Sequence, residues 1–85
     1  ELENVVHSIT SFPEIKNIHH IHLWKLDDRR VNLEAHLDFN DNITLEASGK
    51  VIDRLDEKLH REFGINHATF QCEYNRDDDK SIVVQ

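Results

Sequence analysis

The stretch that decides the fold is Val31-Asn32-Leu33-Glu34-Ala35-His36-Leu37-Asp38-Phe39-Asn40. Apolar side chains at Val31, Leu33, Ala35, Leu37 and Phe39 alternate strictly with polar ones. A side-chain period of two belongs to a half-buried strand, with one face on a core and the other left polar. The rest of the chain can be assigned relative to those two faces.

Toward the N-terminus, residues 18–26 (IHHIHLWKL) are dense in branched and aromatic residues and read as a second strand. The polar turn Asp27-Asp28-Arg29-Arg30 separates the two runs, which are close enough to form an antiparallel hairpin. Upstream, Leu2, Val5, Val6 and Ile9 are spaced for an amphipathic helix over 2–11, which Pro13 prevents from continuing. Toward the C-terminus, Asn40-Asp41-Asn42 is turn chemistry. Thr44 is placed to cap a helix with Glu46 or Ala47 in its first turn. Leu45, Val51, Ile52, Leu55, Leu59 and Phe63 trace its apolar stripe, and Gly64 stands where the helix would end. Ala68, Phe70, Cys72 and Tyr74 then alternate with His67, Thr69, Gln71 and Glu73 in a third strand. The order helix, strand, strand, helix, strand predicts an α+β sandwich of ferredoxin-like kind, αββαβ, with two helices on one face of a three-stranded mixed sheet. Residues 1–74 make this domain. Residues 75–85 form a charged tail, expected to be mobile, whose Ile82-Val83-Val84 could add an edge strand.

Composition narrows the function. Eighty-five residues make one small domain. Such a domain hides roughly 60% of its unfolded surface and is inclined to use a metal or a second subunit. Ten Lys and Arg against seventeen Asp and Glu give a net charge of −7, so nucleic acid and anionic lipid are poor partners. The single Cys72 rules out an internal disulfide framework and a cysteine-only zinc site. It has core parity and is expected to be buried. No apolar run approaches the roughly 20 residues that span a bilayer. The start at Glu1 rather than methionine suggests a fragment of something longer. Seven histidines are the outlier.

The helices should cover the face lined by Leu33, Ala35, Leu37 and Phe70, with Ile21 and Leu23 pointing the same way. The polar parity then falls on the uncovered face: His20, His22 and Trp24 from the first strand, Glu34, His36 and Asp38 from the second, His67, Gln71 and Glu73 from the third. That gathers four histidines and three carboxylates on strands about 4.8 Å apart. Imidazole and carboxylate suit zinc and its divalent neighbours. A tryptophan among these polar groups fits an interface. Catalysis is poorly supported. The only glycines are Gly49 and Gly64, so no phosphate loop exists, and Cys72 and His67 have opposite parity. The chain is expected not to be an enzyme.

His19-His20-Ile21-His22-Leu23-Trp24, Glu34-Ala35-His36, Phe63-Gly64-Ile65 and Thr69-Phe70-Gln71-Cys72-Glu73, in this order, resemble the cytosolic C-terminal domain of cation diffusion facilitator transporters. The resemblance spans roughly residues 2–74. It implies a metallochaperone-like αββαβ fold, a homodimer, and a place on the cytoplasmic face of a membrane below a membrane-embedded transporter domain. It also implies binding of Zn2+ or a related ion (Mn2+, Fe2+, Co2+ or Cd2+) that draws two subunits together and promotes transport. The family's ligand positions fall here on His19, His36 and Glu73. His19 has the wrong parity for the polar face and needs a strand start or bulge to join His36. Two departures stand out: His20 replaces the usual aspartate, and His67 stands near positions, Asn66 and Gln71, where some members carry histidine. The candidate metal residues are therefore His19, His20, His22, His36, His67 and Glu73. The competing reading is a metal-free ferredoxin-like dimerisation or ligand-binding module.

Overall fold

The computed structural model describes residues 2–77 and 79–82. Its elements are α1 (Leu2–Thr10), β1 (Ile15–Lys25), β2 (Val31–Phe39), α2 (Leu45–Phe63) and β3 (Ile65–Glu73). The sheet order is β1-β2-β3; β1 pairs antiparallel with β2, and β2 pairs parallel with β3. The expected three-stranded mixed sheet with two helices is therefore present. The mixed pattern follows from connection length: a short turn joins β1 to β2, whereas a parallel neighbour requires the crossover that α2 supplies.

The β1–β2 turn is closed by Asp27, whose Oδ1 accepts from the backbone N–H groups of Arg29 and Arg30, both at 2.9 Å. Thr44 caps α2 by accepting from the Ala47 N–H at 3.0 Å. Gly64 ends the helix at φ 68°, its N–H returning to the His60 carbonyl at 3.0 Å. Val51, Leu55 and Leu59 recur every four residues and put one side of α2 into the core. They meet Val5 and Ile9 of α1 and Leu33, Ala35, Leu37 and Phe39 of β2. α1 lies against β1, α2 against β3, and the helices touch, joined by the Ser8 hydroxyl donating to Glu62 at 3.2 Å.

Two expectations shift. β1 begins at Ile15, three residues before the apolar run; Ile15 is buried and pairs with Phe39. Cys72 is exposed although it stands opposite Leu37 in register. β3 is an edge strand there, and the thiol lies at a surface cleft with Ser48 and Tyr74. Partial burial pushes the thiol pKa up, against a lowering hydrogen bond with Ser48, so it is a poor nucleophile. Ile82 is described, but Val83 and Val84 lie outside the described residues. Among the described residues, no helix is long and apolar enough to cross a membrane.

Candidate metal centre

The bulge in β1 builds this site. His19 pairs with His36 and His22 with Glu34, so His20 and Ile21 together oppose the single residue Ala35. An extra residue in one strand reverses the facing of everything beyond it. His19 and His22, three apart, thus share the uncovered face, while Ile18 and Ile21 are both buried in the core. His20 takes the left-handed conformation, φ 53°, that the bulge demands.

His19 is completely buried, and Glu73 and Asp38 are only 5% and 4% exposed. His19 Nε2 lies 3.2 Å from Glu73 Oε1, and His36 Nδ1 lies 2.9 Å from Glu73 Oε2. On the other edge of the His19 ring, Nδ1 meets Asn17 Oδ1 at 2.9 Å, with Asp38 Oδ2 at 3.8 Å. A ring proton donated from Nδ1 to Asn17 leaves the Nε2 lone pair aimed at the carboxylate, the arrangement that orients metal-binding histidines. One ligand atom each from His19, His36 and Glu73 fall within 4.8 Å of one another. Bonds of about 2.0–2.2 Å at the tetrahedral angle separate ligand atoms by about 3.3 Å, close to the 3.2 and 2.9 Å found. Two imidazoles and a carboxylate are a donor set that zinc and its neighbours accept.

The other candidates divide. His20 stacks on His36, centroids 4.6 Å apart and planes 6° from parallel, so its ring adjoins the cluster. Its Nε2 meets the Asp79 carbonyl at 2.8 Å. His22 shares the face but sits beside Trp24, 4.5 Å between centroids, and outside the convergent group. His67 pairs with Asn32, four residues back along the sheet from the His36–Gln71 pair, about 13 Å at 3.3 Å per residue. It bonds Thr69 at 3.3 Å and borders Asp56 and His60 of α2. Burial and the neighbouring Asp53 raise the Asp56 pKa, with His67 opposing. Gln71 stays at the centre, its amide donating to Glu73 Oε2 at 2.9 Å.

Residues the pattern reading did not single out complete the site. Asn17 was legible in principle, because it lies two residues before His19 on the same face. Lys80 carried no such signal; its Nζ lies 2.9 Å from Asp38 Oδ2 and 3.7 Å from Glu73 Oε1. Burial alone would raise the Asp38 pKa, but Lys80 and Asn17 hydrogen bonds and the nearby positive charge bring it below the usual carboxylate value.

Fold and cluster together define a small α+β sandwich with a His-His-Glu cluster of metal-ligand composition, two of whose three members are buried. The family model described as the cytoplasmic domain of cation efflux proteins matches residues 1–75. The chain belongs to that family. It is 34% identical over 70 residues to the zinc transporter ZitB of Pectobacterium atrosepticum, covering 81% of this chain and 20% of that protein. It is 26% identical over 86 aligned positions to the cadmium, cobalt and zinc/H(+)-K(+) antiporter of Bacillus subtilis, covering all of this chain and 27% of that one. The chain thus spans about a fifth to a quarter of these relatives. Among solved structures, it is similar to the metal-bound C-terminal domain of the CzcD transporter from Cuprividus metallidurans, with 29% identity and a TM-score of 0.74 over 86% of this chain and 97% of that one. The corresponding Thermotoga maritima domain, 10% identical, has the same fold, with a TM-score of 0.76 over 91% of this chain and 92% of that one.

Proposed function

We propose that this chain is the metal-sensing, dimerising regulatory domain of a divalent-cation efflux transporter, with zinc the favoured ion. The observation that carries the reading is the convergence of His19, His36 and Glu73, two of them buried, at ligand-to-ligand spacing on a helix-free sheet face. His19, His36 and Glu73 would hold the ion, His20 stands beside them, and His22 and His67 are assigned no ligand role. The bound ion supplies positive charge at a carboxylate-rich surface. Residues 1–74 are the working domain and 75–85 an appended tail, with the membrane-embedded transporter domain outside this chain and the fragment on the cytoplasmic face.

Regulation in this reading is two-state. Without metal, Glu34, Asp38 and Glu73, offset only in part by Lys80 and Arg76, leave two subunits repelling across the dimer interface. A cation cancels that repulsion, so binding and dimer closure are one coupling free energy. The similarity to the zinc transporter ZitB and to metal-bound transporter domains supports the zinc and transport parts.

Calorimetric titration of the metal-stripped chain with zinc tests this. Micromolar or tighter binding with a rise in melting temperature, both lost in His36→Ala, is the expected result. No heat and no change in melting temperature would overturn the metal reading and leave the metal-free dimerisation module.

A further inference from the structure

Asp38 and Glu73 are register partners on adjacent strands, both almost fully buried on a face that carries no helix. Two carboxylates side by side out of water require positive charge nearby. The C-terminal segment supplies it. The Ser81 carbonyl accepts from the His20 N–H at 2.8 Å, and the Ile82 carbonyl accepts from the Ile21 N–H. Those donors belong to the two bulge residues that have no register partner on β2. Asp79 shapes the approach, its Oδ1 accepting from the Ser81 N–H at 2.9 Å and the Ser81 hydroxyl at 2.7 Å. The strap sets the Lys80 ammonium against Asp38 and Glu73.

We propose that residues 79–82 are a built-in occupant of the metal centre, with Lys80 holding the carboxylates until a divalent cation displaces it; this rests on the metal-sensing reading above. Lys80 Nζ is 3.7 Å from Glu73 Oε1, the same oxygen that faces His19 Nε2. A cation bound to that oxygen at about 2.0–2.2 Å would lie no farther than about 6 Å from the ammonium. Like charges at that distance repel, so metal binding and Lys80 docking oppose one another even though the ammonium itself is partly exposed. The strap therefore sets the threshold at which the domain responds: apparent affinity is the intrinsic affinity multiplied by the fraction of molecules whose strap is undocked.

The test compares the full chain with Lys80→Gln. In metal-free protein, hydrogen exchange at the His20 and Ile21 amides is expected to be at least about fivefold faster in the variant, with Leu55 and Leu59 unchanged. Zinc is expected to bind the variant about tenfold more tightly, as for a strap docked about ten to one. Zinc added to the unaltered chain should release the same two amides, which a mere change of net charge would not do. Unchanged exchange in Lys80→Gln, equal zinc affinity, or protection that survives zinc would each overturn the proposal. Zinc binding by neither chain would overturn the metal reading and the competition together, while the metal-free exchange rates still report whether Lys80 docks the strap.

Discussion

His19 is a titratable ring with no exposure, held by Asn17 on one nitrogen and facing Glu73 with the other. An imidazole in such a place has a defined orientation before any ligand arrives, which lowers the ordering cost of binding. Other single-residue contacts are structural. Arg54 hydrogen-bonds Glu14 and so holds the Glu14 carboxyl below its usual pKa, helped by a backbone hydrogen bond. A carboxylate lowered in the folded state contributes stability above its unfolded value of about 4.3 and loses it as pH falls through the folded value. Glu14→Gln should therefore be less stable than the unaltered chain by under about 1 kcal/mol at pH 7. Urea titrations should show that gap closing from about pH 4 downward.

At the scale of elements, α2 is the most locally determined piece. Its stripe, its Thr44 cap and its Gly64 stop are each written within a few residues of where they act, and the observed bounds are those of the pattern, Leu45–Phe63. Gly64 sits at φ 68° with open space where a Cβ would go, so only backbone conformation opposes a side chain there. Gly64→Ala should cost about 1 kcal/mol in denaturant unfolding without altering zinc affinity. β1 is the opposite case. Alternation alone assigns His20 and His22 to the polar face and His19 to the core, whereas the bulge admits His19 to the polar face. A bulge comes from pairing with β2, and single-strand periodicity carries no record of the partner's register.

For the whole molecule, one sheet face takes both helices and the other keeps His19, His20, His22 and His36 with Glu34, Asp38 and Glu73. In the proposed function, each histidine ligand must give up its proton to bind metal. Zinc affinity measured by calorimetry should therefore weaken as pH falls from 7.5 to 5.5. A flat profile would count against histidine ligation.

The sequence by itself determined the element order, the α+β class, the face that would be polar and the candidacy of His36 and Glu73, because periods of 2 and 3.6 and capping chemistry are local. Only the tertiary structure decided which histidines converge. His19 enters by way of the bulge, His67 is carried toward the far end of the sheet, and Lys80 reaches Asp38 from 42 positions away, the difference of their residue numbers. Register and long-range charge pairing depend on partners distant in sequence, and the spacing of side chains along one strand cannot encode them.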